Sequence, residues 1–199
     1  TALDKRGYIY VFPNAPIGVN LGFGMLGHAW ANWPESGGDD EIENTTAKLS
    51  DFFDEVMEQY CVEPGKIVLG GFSQGGMMAY LCGLPNPHLF AGLAALSSKI
   101  PDPNKLLKRL PTSREQPIFI AHGTADSMIN VEDSRESRRF LEEEGYAPEY
   151  KEYPMGHEVS HIAGRHSAER YSQTIAANTA LTATSIALNA GEVRFQQQI

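Results

Sequence analysis

Short apolar runs alternate along the chain with segments whose apolar residues recur every three or four positions. Five runs of four to seven residues, most of them rich in β-branched and aromatic side chains, predict buried strands. These runs are Tyr8–Phe12, Lys66–Gly71, Ala91–Ser97, Ile118–Ala121 and Tyr150–Tyr153.

The helical pattern is clearest between the first two predicted strands, and Asp39 and Asp40 are available to cap the start of that helix. Its apolar positions share one face at helical spacing: Leu49, Phe52, Phe53, Val56, Met57 and Tyr60. Further helices are predicted from Ser73 to Leu84, before Pro85, and from Asp133 to Glu144, before Gly145. Strands that alternate with helices predict an α/β fold with a mainly parallel sheet and helices on both faces, because parallel neighbours need crossover connections.

Two segments carry no clear period. The Gly-rich stretch from Ile17 to Trp33 is predicted to be a loop. The chain from Ser167 to Ala190 is rich in Ala, Thr, Ser and Asn, and the segment 164–199 is predicted to be an atypical C-terminal helix or tail. With 199 residues, the whole chain 1–199 is predicted to be a single domain.

The composition of the chain argues against several classes of protein. A formal net charge of -9 argues against nucleic acid as a partner, since nucleic-acid binding needs clustered cations. Apolar runs far shorter than a membrane span predict a soluble protein, and the lack of a signal-type opening stretch favours the cytoplasm. Cys61 and Cys82 have neither metal-ligand spacing nor the density of a disulfide framework, so we expect both to be buried apolar residues.

The sequence Gly71-Phe72-Ser73-Gln74-Gly75 fits the G-x-S-x-G motif and lies between a predicted strand and a predicted helix. A turn of this kind raises a serine hydroxyl above the sheet at a helix N-terminus, where the amide of Gln74 could stabilise an oxyanion. The alternative is a strand-to-helix turn whose small residues serve only packing.

A serine nucleophile needs a base and a group that orients the base. Asp126 follows the strand Ile118–Ala121, and His157 follows the strand that ends at Tyr153. Each could be an ordinary loop residue, but Ser, Asp and His occur in the order that this motif requires, each just past a strand end. The sequence therefore predicts Ser73, Asp126 and His157 as catalytic residues.

Several motifs together resemble the phospholipase/carboxylesterase family of α/β hydrolases, which includes acyl-protein thioesterases. They are LGGFSQGG, AHGTADSMI, YPMGHEVS and FPNAPI, with Trp30 after the Gly-rich stretch, and the resemblance covers roughly Arg6 to Ser160. It implies a three-layer α/β sandwich of the α/β-hydrolase type. It also implies that Ser73 is the nucleophile, that His157 is the base and that Asp126 orients this base. The implied substrates are acyl esters or thioesters, and no cofactor is implied.

The same resemblance suggests which residues line the acyl pocket: Trp30, Phe72, Met128 and Ile129, although any of them could belong to the core. The expected partner is a small acyl ester of short to medium chain length, with lysophospholipids and a homodimer left open. The expected activity is that of a carboxylesterase that works through an acyl-enzyme intermediate.

The chain departs from the family pattern in two places. The family has a His-Gly pair after an earlier strand, whose loop gives a second oxyanion amide, and the only His-Gly here is His122-Gly123 on the aspartate strand. We expect the N-terminal strands of the family to be absent from this chain, and the tail has an unfamiliar composition. A hydrolase-like scaffold that binds ligands with weak turnover is therefore an alternative, and the tail could pack in place of missing elements or pair with another subunit.

Two other motifs point to different chemistry. His157-Glu158-x-x-His161 fits a zinc-peptidase helix, but the third histidine of the longer pattern would fall at Ser167, and no methionine follows Met155. Gly22 to Gly27 fits G-x-G-x-x-G without a tightly entering strand or a departing helix. A zinc peptidase that uses His157, Glu158 and His161 is kept as an alternative hypothesis. The main prediction includes neither a metal nor a dinucleotide.

Overall fold

The computed structural model of the chain describes residues 2–3, 9–22, 25–32, 39–159 and 184–188. Nine strands are found in this part: β1 (Ala2–Leu3), β2 (Ile9–Val11), β3 (Ile17–Gly22), β4 (Met25–Ala29), β5 (Ile67–Phe72), β6 (Phe90–Leu96), β7 (Ile118–Gly123), β8 (Glu149–Tyr153) and β9 (Thr184–Leu188). The four helices of the same ranges are α1 (Asp39–Tyr60), α2 (Gln74–Gly83), α3 (Pro103–Leu107) and α4 (Val131–Glu143).

Seven of the strands form one sheet in the order β1-β2-β9-β5-β6-β7-β8, while β3 and β4 form a separate antiparallel hairpin. Every pairing in the large sheet is parallel except that of β1 with β2. The carboxyl ends of β5 to β8 therefore lie along one edge of the sheet. Open parallel sheets bind ligands at this edge.

The central strands are apolar along their whole length because both of their faces are covered. Ile67, Leu69, Leu93 and Ile120 are each at most 1% exposed. A strand that is buried on both faces has a continuous apolar sequence, and these strands have such sequences.

Helices α1 and α2 contact each other, and α2 packs on β5 and β6. Phe53 on α1 stacks edge-on against Phe90 of β6 at 5.1 Å between ring centroids. Nine residues of α2, from Gly75 to Gly83, are buried. Such a helix needs small and apolar residues throughout, which matches the run GGMMAYLCG. None of the helices in the described ranges is both long and apolar enough to cross a membrane.

All five predicted strands are confirmed, with ends that shift by at most two residues. Three predictions about the first 61 residues are wrong. Cys61, expected to be buried, is exposed, whereas Cys82 is buried as expected. The segment from Ile17 to Trp33, predicted as a loop, contains the hairpin β3–β4, and Asp39 and Asp40 lie inside the first turn of α1 instead of before it. A carboxylate in a first turn, such as that of Asp40, still interacts favourably with the helix dipole.

The C-terminal segment contributes a strand where a helix or tail is predicted. Thr184–Leu188 is parallel to β2 on one side and to β5 on the other, with Leu188 opposite Gly71. The remainder of 160–199 lies outside the described residues. The strand closest to the G-x-S-x-G turn on the β2 side thus comes from the far end of the chain.

Candidate active site

Ser73 occupies the sharp turn between β5 and α2. Its backbone has φ 55° and ψ −122°, a conformation that non-glycine residues rarely adopt. The turn is tight enough that a Cβ on Gly71 would lie 2.1 Å from the backbone carbonyl carbon of Gly75. Glycine at position 71 is therefore required by space, as the motif predicts.

The carbonyl oxygen of Ser73 is held by three donors. The N–H groups of Gly76 and Met77 donate to it at 3.0 and 3.2 Å, and the hydroxyl of Ser98 donates to it at 2.8 Å. These bonds hold the strained turn in place at the start of α2. The first N–H groups of a helix have no partner within the helix, so the amide that follows Ser73 is suited to an anion.

Asp126 and His157 meet at the same edge of the sheet. His157 Nδ1 lies 2.8 Å from Asp126 Oδ2, and the other oxygen, Oδ1, accepts the N–H groups of Met128 and Ile129 at 2.9 Å each. The Asp126 side chain is fully buried, and the His157 side chain is 12% exposed. A buried carboxylate that is hydrogen-bonded at both oxygens has a fixed orientation.

Burial of the Asp126 carboxyl works to raise its pKa. Hydrogen bonds from the Ile129 N–H, from His157 and from the Met128 N–H favour the ionised form and together bring the pKa below its ordinary value. The carboxylate is thus ionised at neutral pH and faces the ring nitrogen of His157.

The His157 ring also contacts the residue before the serine. Its centroid lies 4.6 Å from that of Phe72, with the two rings tilted by 44°. Since Phe72 is the last residue of β5, this contact brings the histidine loop beside the serine turn. Arg135 of α4 donates to both carboxylate oxygens of Glu152 on β8, at 2.7 and 2.8 Å. This pair connects α4 to the strand that leads into the histidine loop.

The side chain of Gln74 connects the serine turn to the segment after β4. Its Oε1 accepts the Trp30 N–H, and its Nε2–H donates to the Ala31 carbonyl, both at 2.9 Å. The hydroxyl of Thr45 on α1 donates to the Trp30 carbonyl at 2.9 Å. Side chains therefore satisfy most of the polar backbone groups of this short segment.

The four residues suggested for an acyl pocket lie in different surroundings. Trp30 and Ile129 are buried in the hydrophobic core at 2% and 8% exposure, whereas Met128 is 75% exposed and Phe72 is half-buried. Contact of any of them with a substrate stays a prediction. Phe72 has the strongest geometric support, because it touches His157.

The first residues of the zinc pattern do not lie on a helix. His157 and Glu158 lie in a bend after β8, and the Glu158 N–H donates back to the Gly156 carbonyl at 3.0 Å. The four-residue spacing of a zinc helix puts its histidines on one face only if the segment is helical. His161 lies outside the described residues.

Sequence reasoning missed three residues that support the site: Ser98, which anchors the Ser73 carbonyl, the side chain of Gln74, and His122 of β7. His122 is fully buried, and its Nε2 lies 2.9 Å from the Ile129 carbonyl oxygen. The position of Ser98 just past the end of β6 was an available signal, because polar residues at carboxyl ends of parallel strands collect at one edge.

The sequence of the chain is similar to those of known proteins. A family model described as phospholipase/carboxylesterase matches residues 3–163. Two relatives named acyl-protein thioesterase 1, from Mycosarcoma maydis and Gibberella zeae, are each 35% identical to this chain, over 150 and 158 residues. The alignments cover 68% and 73% of this chain but only 62% and 66% of the relatives, so the chain spans less than two thirds of their length.

Solved structures show the same fold at lower identity. Arabidopsis thaliana SOBER1 is 23% identical with a TM-score of 0.68 over 76% of each chain. A Bacillus cereus carboxylesterase is 17% identical with a TM-score of 0.64, over 84% of this chain and 87% of that one. These likenesses confirm the predicted three-layer α/β sandwich of the α/β-hydrolase type. Since the family model spans most of the chain, from the first strand to beyond His157, the chain belongs to the phospholipase/carboxylesterase family.

Proposed function

We propose that this chain is a serine-dependent hydrolase of carboxylic esters with short to medium acyl chains, with thioesters and lysophospholipids as further substrates of the same chemistry. The observation that carries the proposal is the strained Ser73 at the start of α2, directly after Phe72, whose ring contacts His157, while His157 lies 2.8 Å from the buried carboxylate of Asp126. The family to which the chain belongs, with relatives named acyl-protein thioesterase, supports the substrate class.

In the proposed reaction the Ser73 hydroxyl attacks the acyl carbon while His157 Nε2 accepts its proton. Asp126 keeps the imidazole in the tautomer with a proton on Nδ1 and stabilises the imidazolium that forms. The N–H of Gln74 donates to the oxyanion. The alcohol or thiol leaves with the proton from His157, and water then hydrolyses the acyl-enzyme by the same steps.

The Gln74 amide is one oxyanion donor, and an efficient site of this type uses two. Loss of one donor typically reduces the rate on the order of a hundredfold or more. A scaffold that binds acyl ligands with little turnover is therefore the competing function, and the rate of ester hydrolysis distinguishes the two.

The test is covalent labelling of the purified chain with a fluorophosphonate, followed by peptide mass spectrometry. Attack by Ser73 displaces fluoride and adds the phosphonyl group to its oxygen, with the proton passing to His157. We expect one label on Ser73, no label in Ser73→Ala, and much slower labelling in His157→Ala. Labelling of Ser73 without measurable ester turnover would favour the binding scaffold.

The zinc alternative makes opposite predictions for the same chain. If Ser73 is the nucleophile, His161→Ala and a strong chelator leave ester hydrolysis unchanged, while Ser73→Ala abolishes it. If His157 and His161 hold a metal, His161→Ala abolishes activity and Ser73→Ala retains it, with Glu158 activating water. An active Ser73→Ala together with an inactive His161→Ala would overturn the proposed function.

A further inference from the structure

His122 lies four residues before Asp126, on the strand that leads into the aspartate turn. It is fully buried, and its Nε2 lies 2.9 Å from the carbonyl oxygen of Ile129. The same nitrogen lies 3.4 Å from Asp126 Oδ2. His122 therefore contacts both ends of the turn 126–129 that presents the carboxylate to His157.

The hydrogen bond fixes which nitrogen of His122 carries the proton. A carbonyl oxygen only accepts, so Nε2 must be the donor to Ile129. The other nitrogen, Nδ1, is buried without a hydrogen-bond partner in the described part of the chain. An apolar side chain would avoid that unpaired polar atom, so the space alone does not explain a histidine here.

The two oxygens of the Asp126 carboxylate have different partners. Ile129 donates its N–H to Asp126 Oδ1 and accepts the His122 N–H at its carbonyl, so the two hydrogen bonds hold Ile129 from both sides. At 3.4 Å the His122 contact with Oδ2 is too long to compete with the 2.8 Å contact of His157. His122 thus holds the turn without displacing His157 from the carboxylate.

We propose that His122 is a positioning residue for the reaction: through its hydrogen bond to the Ile129 carbonyl it holds the turn 126–129 so that Asp126 Oδ2 faces His157 Nδ1. This role rests on the proposed function, in which Asp126 orients the catalytic base. His122 acts through Asp126 and does not touch the substrate.

The proposal is tested with three variants that differ in where they place a donor. His122→Leu fills the space without a donor. His122→Gln can place an amide N–H near the position of Nε2, and His122→Asn ends about one bond short of it. We expect His122→Leu and His122→Asn to lower kcat for a soluble ester about tenfold to a hundredfold, as misplacement of a catalytic group does, with KM within about twofold. His122→Gln should restore most of kcat.

A second measurement reports the position of Asp126 directly. The Nδ1 proton of His157, hydrogen-bonded to a buried carboxylate, is expected to give a strongly downfield proton NMR signal. This signal should persist in His122→Gln and weaken or disappear in His122→Leu and His122→Asn, at unchanged circular dichroism. If His122→Leu fails to fold, the comparison of His122→Gln with His122→Asn decides the question.

Two results would overturn the inference: normal kcat and an unchanged downfield signal in a folded His122→Leu or His122→Asn, or equal losses in folded His122→Gln and His122→Asn. Failure of the proposed function is recognised separately, because the wild-type chain would then neither hydrolyse esters nor take the fluorophosphonate on Ser73. In that case the NMR signal still tests whether His122 positions Asp126.

Discussion

Asp126 uses both of its carboxylate oxygens, one for two backbone N–H groups and one for His157. Asp126→Asn keeps the size of the side chain but places an amide where one oxygen was. If the amide nitrogen faces His157, the ring must accept there and the wrong tautomer results. We expect an intact fold and a fall in kcat of about 10⁴-fold, as this change has in serine hydrolases.

The measurement is steady-state ester hydrolysis, with circular dichroism as the control for folding. Near-normal turnover in a folded Asp126→Asn variant would assign the orienting role to another acid. The exposed Glu158, next to His157, is the first acid to test in that case.

The lowered pKa of Asp126 also makes stability depend on pH. A carboxyl whose pKa is lower in the folded than in the unfolded protein contributes stability that is present above its unfolded pKa, about 4, and is lost as pH falls through the folded value. We expect the free energy of unfolding of the wild type to exceed that of Asp126→Asn by more at pH 6 than at pH 3. Urea denaturation at both pH values measures this difference, and an equal difference at both would contradict a lowered pKa.

The residue types of the site could be predicted from sequence more readily than their contacts. Ser73, Asp126 and His157 each follow a recognisable strand end, so their order alone indicates a common edge. The Ser98 and His122 contacts depend on the spacing between neighbouring strands and on the turn 126–129. No local pattern encodes those distances, because they arise only when the sheet is assembled.

At the scale of elements, the proposed contact between Asp126 and His157 depends on how closely the loop after β7 passes the loop after β8. A Cβ on Gly123 would lie 2.4 Å from the carbonyl oxygens of Met155 and Gly156. Both atoms belong to the backbone just before His157, so they cannot move away as a side-chain end can. Gly123→Ala must therefore push the aspartate and histidine loops apart.

We expect Gly123→Ala to lower kcat by about a hundredfold, as a displacement of about 1 Å does, and to destabilise the fold by about 1–3 kcal/mol. Gly18→Ala on β3 is the matched control, because a Cβ there meets nothing within 4 Å. Ester kinetics and thermal unfolding of the two variants are compared side by side. Equal behaviour of the two variants would mean that the loops yield without displacing Asp126 or His157.

Elements were predictable where their period is strong and missed where it is weak. α1 and the buried strands have continuous patterns, whereas the β3–β4 hairpin contains Gly18, Gly22 and Gly27, which weaken any strand signal. α3 has five residues, too few for a period, although its Asp102 cap and Pro103 at the first position are ordinary start signals.

At the scale of the whole molecule, the order of the sheet places the C-terminal strand β9 beside β5, the strand that leads to Ser73. β9 lies between β2 and β5, so β1 and β2 join the rest of the sheet through β9. Sequence could not predict this pairing, since residues more than a hundred positions apart meet in a short segment with no distinctive pattern.

This arrangement predicts that β9 supports β5. A chain ending at Ala183 lacks Thr184–Leu188 and loses its ladders with both β2 and β5, whereas a chain ending at Asn189 keeps every residue of β9. At about 1 kcal/mol for each backbone hydrogen bond, the shorter chain should lose roughly 3–6 kcal/mol of unfolding free energy.

Hydrogen exchange should show faster exchange at alternate amides from Ile67 to Gly71, and fluorophosphonate labelling of Ser73 should slow, because β5 leads directly into the serine turn. The chain ending at Asn189 retains β9 and is the control for the loss of the C-terminal residues. Equal stability and equal protection of β5 in the two truncated chains would show that β9 does not hold this place in solution.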